Sequence, residues 1–283
     1  MFLDPACIPC IINQSYNAAK LFTNGNKDLQ LKIIKEACEE VKKVNSDFTA
    51  PLFAKSLQEI VEKNLRIKNP YKKIKEKNLD EAEKFIPYLS ALLENSEDRI
   101  EWAVRIAAAG NIIDIGANPN FNILDEINKI SSDNIDLSEL PNFKNGLENS
   151  NFILYIGDNY EEALFDKFLL DELKDKRVVF AVRSQPILND ITLIDARNLG
   201  IDKICEVIES GSKIAGTNIK ECTNEFMELY RNADMIIAKG QGNYETLLNE
   251  ERPIYFLFKV KCEVISQRCG KPVGRGVLLF NQT

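Results

Sequence analysis

From about residue 150 onward, short β-branched or aromatic runs alternate with helical stretches, and this alternation constrains the fold more than any other feature of the chain. The runs lie at 152–156, 177–182, 203–208, 235–239 and 254–258. Each is separated from the next by a helical stretch or a polar loop, which is the pattern of βαβ units and of a mainly parallel sheet. Helices must then cover both faces, so the expectation is a three-layer α/β/α domain. A further run at 276–280 adds a strand, antiparallel because the connection from Phe258 is short for a crossover helix, which makes the sheet mixed.

Upstream the period changes to that of a helix. Leu29, Ile33, Ile34, Ala37 and Val41 fall on one 3.6-residue stripe, and similar stripes run through 53–65 and 79–93, with Pro51, Pro70 and Pro87 as punctuation. The chain therefore divides into a helical N-terminal bundle, 1–105, and an α/β domain, 106–283. Within the second, the Ser-, Asp-, Asn- and Pro-rich segment 131–150 reads as a loop or short-helix insertion. The segment 107–118 allows two readings: a strand at 112–115 ending at Gly116, or a continuing helix that delivers Asn111 and Asp114 towards a cleft.

Ligands of open parallel sheets bind outside the carboxyl ends of the strands. In this chain those ends carry Gly157-Asp158-Asn159, Arg183 with Asn189-Asp190, Ser210-Gly211-Ser212, Lys239-Gly240 and Lys259-Val260-Lys261. Asp158, Asn159 and Asp190 are hard oxygen donors suited to Mg²⁺ or Mn²⁺. The same residue types cap helices, so alone they read equally as caps, with Glu161 and Glu162 as ordinary first-turn acids. Lys259 and Lys261, two apart, share a strand face from which one could reach a phosphate. Ser210 and Gly211 offer backbone N–H groups to an anion.

With 0 His residues the chain has no Ser-His-Asp triad, Cys-His pair or HExxH zinc site. Its net charge of −7 argues against nucleic acid as a partner. No run approaches the roughly 18 apolar residues of a membrane helix, and MFLDPACIPC lacks the pattern of a secretory signal. The expected setting is cytoplasmic, without a membrane partner. The 7 Cys are scattered as reduced thiols would be. Zinc at Cys7 and Cys10 would need two more ligands, from Cys262, Cys269 or acids, so the expected role of the pair is structural, at the start of the first helix.

Taken in order, DPACIPC, AGNIID, YIGDNYEEALFDKFLLDEL, VRSQPILNDITLIDA, SGSKIAGT, AKGQGNYETL and FLFKVKC resemble the DUF89 family of metal-dependent, damage-control phosphatases, in its CxxC-bearing prokaryotic and archaeal subgroup. The resemblance implies one divalent ion (Mn, Mg, Co or Ni) on Asp158, Asn159 and Asp190. It also implies a substrate phosphate on Lys261, with Lys259 as the alternate, and Asn111, Asp114 and Arg183 nearby. The activity implied is hydrolysis of small phosphomonoesters, such as sugar phosphates or damaged phospho-metabolites, by metal-activated water. Tyr160 stands where that family has a small residue, which would narrow the site, and Gln185 replaces a Gly-like position. Two rivals remain. One is a methyltransferase using S-adenosylmethionine, suggested by DIGAN at 114–118; the other is a non-catalytic protein that holds a phosphometabolite. The oligomeric state is open.

Overall fold

A computed structural model of the chain describes residues 3–112, 130 and 134–281. Among the described residues seven strands form one mixed sheet: β1 (Ile135–Asp136), β2 (Phe152–Ile156), β3 (Arg177–Val182), β4 (Glu206–Glu209), β5 (Met235–Lys239), β6 (Tyr255–Lys259) and β7 (Gly276–Phe280). Their order is β1-β7-β6-β5-β2-β3-β4. Strands β2 to β6 are parallel, whereas β7 runs antiparallel to β6 in the register Tyr255↔Phe280 to Lys259↔Gly276. The antiparallel direction of β7 follows from its connection, which holds only one seven-residue helix.

The described helices are α1 (Cys7–Phe22), α2 (Lys27–Glu40), α3 (Ala50–Leu65), α4 (Lys72–Glu83), α5 (Ile86–Glu94), α6 (Arg99–Ile112), α7 (Leu140–Glu148), α8 (Tyr160–Glu172), α9 (Leu193–Asn198), α10 (Asn224–Asn232), α11 (Gly240–Leu247) and α12 (Glu263–Cys269). Alternation along the strands divides the core. Ile153 and Tyr155 face a cluster that includes Phe85, Ala107, Phe143 and Phe165 from α4 to α9. Leu154 and Ile156 face Phe226, Tyr230 and Leu247 from α10 and α11. Every strand side chain of β2 beyond Phe152 is buried, as expected when helices cover both faces. This is the expected three-layer arrangement.

Helices α1–α3 bury small clusters of their own, one around Ile11, Ala37, Phe53 and Leu57 and another around Ala18, Ala19, Ile33 and Val61. Helix α3 shows why such a segment is helical. Thr49 accepts a hydrogen bond from the Leu52 N–H, Pro51 sits in the first turn, and Phe53, Leu57 and Val61 recur at i, i+4 and i+8. A cap of this kind contributes about 1 kcal/mol.

Three expectations shift. The run at 203–208 becomes a strand only from Glu206, because 201–203 close a 3-10 turn that buries Ile201 after the left-handed Gly200. The run at 254–258 slides one residue, to Tyr255–Lys259. Segment 131–150 supplies both an edge strand and a helix, whose Phe143 packs edge-on against Tyr255 with centroids 5.2 Å apart. Of the two readings for 107–118, the helix holds as far as Ile112, and 113–118, with Asp114, lies outside the described residues. Asn111 stands in the last turn of α6.

Candidate active site

Strand β2 pairs with β3 on one side and β5 on the other, so the connections diverge at its carboxyl end and leave a crevice there. Asp158 and Asn159 emerge at that point. Asp190 is brought to them by backbone pairing: the Ile191 N–H donates to the Asp158 carbonyl (2.8 Å), the Tyr160 N–H donates to the Asn189 carbonyl (2.9 Å), and Asn159 and Asp190 form an antiparallel bridge. Gly240, at the end of β5, has φ +79°, and a Cβ there would lie 1.9 Å from Asp158 Oδ2. Only glycine gives both the turn and the space for that carboxylate.

Under this floor lies Arg183, 0% exposed. Its Nε donates to Asp190 Oδ2 (2.7 Å), one terminal nitrogen to Asn243 Oδ1 (3.2 Å) and the other to Thr217 Oγ1 (3.4 Å), while Asp158 Oδ1 is 3.8 Å away. The guanidinium therefore holds Asp190 from below, with Asp158 more loosely placed, and lies near the site as expected but beneath the cleft wall. Asn243 is also fully buried; its amide donates to the carbonyls of Gly157 and Lys239 and ties β2 to β5. From the helical layer, Lys75 Nζ donates to the Asp190 carbonyl (2.8 Å) and to Asp195 Oδ2 (2.5 Å).

Glu162 is no ordinary first-turn acid. It is buried, accepts from Asn159 Nδ2 (2.6 Å), and packs where Gly110 of α6 has no side chain, a Cβ there falling 2.9 Å from its own. Glu161 is buried too and accepts from Asn78 and Asn189. Asn159 occupies the N-cap position of α8, but its side chain makes no cap bond. The capping reading is thereby excluded for Asn159, whose amide serves Glu162.

The electrostatics of this group leave it short of positive charge. Burial first, and then the neighbouring Asp158, push the Glu162 carboxyl well above its usual range. Burial likewise raises Asp190, against the opposing pull of Arg183. For Lys261, burial opposes the charged form, but Glu162, Asp158 and Asp190 outweigh it and the ammonium is held more firmly than usual. Its residue is open to the cleft although protein atoms surround it on most sides.

The cleft above the floor has a volume of about 570 Å³, room for a metabolite of moderate size. Asp158, Asn159, Asp190, Lys261 and Gln241 line one side; Cys7, Cys10, Gln14, Pro51 and Ala54 from α1 and α3 line the other. Cys262 joins the body side, and burial pushes the Cys7 thiol up to about 11. Of the remaining expected residues, Lys259 closes β6 opposite Gly276 and is not on the cleft wall. Ser210 is fully buried, and the Gly211 N–H donates to Ser184 Oγ (2.7 Å), so neither reaches the cleft. Tyr160 does not narrow the site: its ring packs in the core beneath Lys75.

Donor chemistry decides whether this site suits a divalent ion. Among the described residues no three Cys, Asp or Glu side chains gather into an anionic cage. Two carboxylates and one amide remain, and that set fits Mg²⁺ or Mn²⁺, which keep several waters and complete their shell with phosphate oxygens. A soft-metal site at the thiols has no such support. Among the described residues no helix is long and apolar enough to cross a membrane.

Comparison with known proteins gives the family and the fold. The model of the damage-control phosphatase ARMT1-like domain matches residues 3–277. An uncharacterised protein of Methanocaldococcus jannaschii is 37% identical, over 98% of this chain and 95% of that protein. A damage-control phosphatase of Pyrococcus horikoshii is 31% identical over 98% and 97%. The crystal structure of a DUF89 family protein from Pyrococcus horikoshii superposes with a TM-score of 0.88 at 30% identity, covering 100% of both chains.

Proposed function

This chain belongs to the damage-control phosphatase ARMT1-like domain family, and from that premise we propose that its cleft hydrolyses small phosphomonoesters with the help of one divalent metal ion. The observation that carries the reading is the convergence of Asp158, Asn159 and Asp190 at the strand-order reversal, with Lys261 beside them on the same wall of the cleft. Asp158, Asn159 and Asp190 would hold the ion: Mn²⁺, Mg²⁺, Co²⁺ or Ni²⁺. When bound, such an ion neutralises phosphate charge and lowers the pKa of a coordinated water.

The chain's own groups then divide the work. The Lys261 ammonium holds a phosphate oxygen and is kept charged by the acids around it. Asp190 is fixed by Arg183 at 2.7 Å, whereas Asp158 is only loosely paired with it at 3.8 Å. Asp158 is thus the better placed of the two to accept a proton from water attacking in line with the ester oxygen. The leaving alkoxide takes its proton from solvent entering the open cleft. Direct attack by water is preferred to a phospho-enzyme because no haloacid-dehalogenase-type DxDx[TV] nucleophile occurs in the chain. The substrate partner is a small phosphorylated metabolite, and the cytoplasm is the proposed setting.

Turnover of p-nitrophenyl phosphate by the purified protein with Mg²⁺, Mn²⁺, Co²⁺ or Ni²⁺, abolished by a chelator and restored by the metal, is the expected result. Absence of turnover with every metal would leave the non-catalytic binding reading standing. Tight, metal-independent binding of S-adenosylmethionine in calorimetry would favour the methyltransferase.

A further inference from the structure

Gly240 and Gln241 open α11, and between them they touch both halves of the site. Gly240 gives Asp158 its room, whereas Gln241 reaches the lysine. Past the end of β6 the Val260 N–H donates to the Arg275 carbonyl (2.9 Å), and the Gly274 N–H donates to the Val260 carbonyl (2.7 Å). The next N–H, that of Lys261, turns to α11 instead and donates to Gln241 Oε1 at 2.8 Å.

The Gln241 amide is held in its turn. Its Nε2 donates to Glu245 Oε1 at 2.7 Å, one helical turn on, and stands 3.9 Å from Cys262 Sγ. These bonds fix which way the amide points, because turned over it would set its NH2 against the Lys261 N–H, donor against donor. Glu245 is buried, so its place is set by packing. The bond needs an acceptor oxygen and not a charge: burial draws the Glu245 carboxyl above its usual range, against the opposing pull of Gln241, Arg268 and Lys261. The carbonyl oxygen of the protonated form accepts as well. Lys261 carries its ammonium on a flexible four-carbon stem, so the anchor of its backbone limits how far that charge strays from Asp158 and Asp190.

We propose that Gln241, oriented by Glu245, is the positioning residue for Lys261, and that the first turn of α11 thereby sets the spacing between the metal carboxylates and the phosphate-holding ammonium. The proposal rests on the reading of Lys261 as the phosphate contact.

The test uses the full-length protein with Mn²⁺. It follows binding of inorganic phosphate by calorimetry, turnover of p-nitrophenyl phosphate, and the affinity for Mn²⁺ itself. Gln241→Leu has no acceptor for the Lys261 N–H and is expected to weaken phosphate binding and lower kcat/KM at least about tenfold, inside the roughly ten- to hundredfold worth of the ammonium contact. Its Mn²⁺ affinity should stay within about threefold of wild type, because the amide is bonded to Lys261 and Glu245 and not to the metal carboxylates. Glu245→Gln keeps an acceptor oxygen and should hold phosphate affinity within about threefold of wild type, whereas Glu245→Leu should weaken it by more than about threefold. This pair decides the matter if Gln241→Leu does not fold. In a Lys261→Ala background, Gln241→Leu should change phosphate affinity less than about twofold, since it acts through that lysine. Unchanged phosphate affinity in Gln241→Leu, equal losses of phosphate and Mn²⁺ affinity, an undiminished effect in the Lys261→Ala background, or like behaviour of the two Glu245 variants overturns the proposal. Wild-type protein that neither binds phosphate nor turns over p-nitrophenyl phosphate takes the functional reading and the proposal down together. Binding without turnover sinks the phosphatase reading alone, and the phosphate affinities of the variants still decide the proposal.

Discussion

Asp158 and Asp190 are both carboxylates at strand ends, yet their surroundings set them apart. Asp190 is clamped by Arg183 and by Lys75 on its carbonyl, while Asp158 faces the cleft with room that Gly240 leaves for it. Asp158→Asn and Asp190→Asn are each expected to lower kcat/KM at least about a hundredfold, because a lost metal carboxylate weakens both ion binding and water activation. Near-normal turnover with full metal occupancy in either variant would remove that residue from the site. Lys261→Ala is expected to cost about 1.5–3 kcal/mol of transition-state binding, the worth of a charge-assisted hydrogen bond, whereas Lys259→Ala, off the cleft wall, should leave kcat/KM close to wild type. A larger loss at Lys259 would show that the lysine has been wrongly chosen. Arg183→Met leaves the buried Asp190 carboxylate without its partner and should lower unfolding stability by about 3–5 kcal/mol. Adding Asp190→Asn should return part of that loss, and strictly additive effects in a denaturation cycle would refute the pairing. The candidate donors were legible only as an ordered series of motifs at the strand ends, because Asp and Asn there read equally as helix caps and Lys as a solvated charge. Arg183 and Glu162 were not, since the burial of a charge is decided by segments far away in the chain.

The turn from β5 into α11 is where one element makes space for another. Gly240 adopts φ +79° against the Asp158 carboxylate, and Gly242 lies so near the Ala215 carbonyl that a Cβ would come within 2.1 Å. Gly240→Ala is therefore expected to displace Asp158 and reduce metal affinity at least about tenfold, beyond the roughly 1–2 kcal/mol that a left-handed conformation costs a residue with a Cβ. Metal titration by calorimetry checks this; unchanged affinity would mean that Asp158 is not held by the turn. The strands were readable because β-branched runs between helical stretches leave little choice of partner direction. The edge was less so. Ile135–Asp136 has only two residues and joins the sheet because β7 offers it an open, parallel edge, something no local pattern announces.

At the scale of the molecule, the cleft exists because α1 and α3 stand opposite the carboxyl ends of the parallel strands, joined to them by contacts such as Gln58 Oε1 accepting from the Leu188 N–H at 3.0 Å. That arrangement brings Cys7 and Cys10 to the wall facing Asp158, a place the CxxC spacing alone did not disclose. Thiols are poor ligands for hard ions, so the double variant Cys7→Ser, Cys10→Ser is expected to keep kcat on p-nitrophenyl phosphate within about threefold and to bind the same equivalents of metal. Loss of a metal equivalent together with turnover would place the pair in the chemistry. The sequence by itself determined the layers, the mostly parallel sheet and the family, because periodicity and ordered motifs are local properties that survive without coordinates. Only the tertiary structure decided that Arg183 lies under the carboxylates, that Lys261 and not Lys259 lines the cleft beside them, and that Glu162 is buried against Asn159. Each of these depends on which distant segments exclude water from a charge, and that is a property of the packed chain.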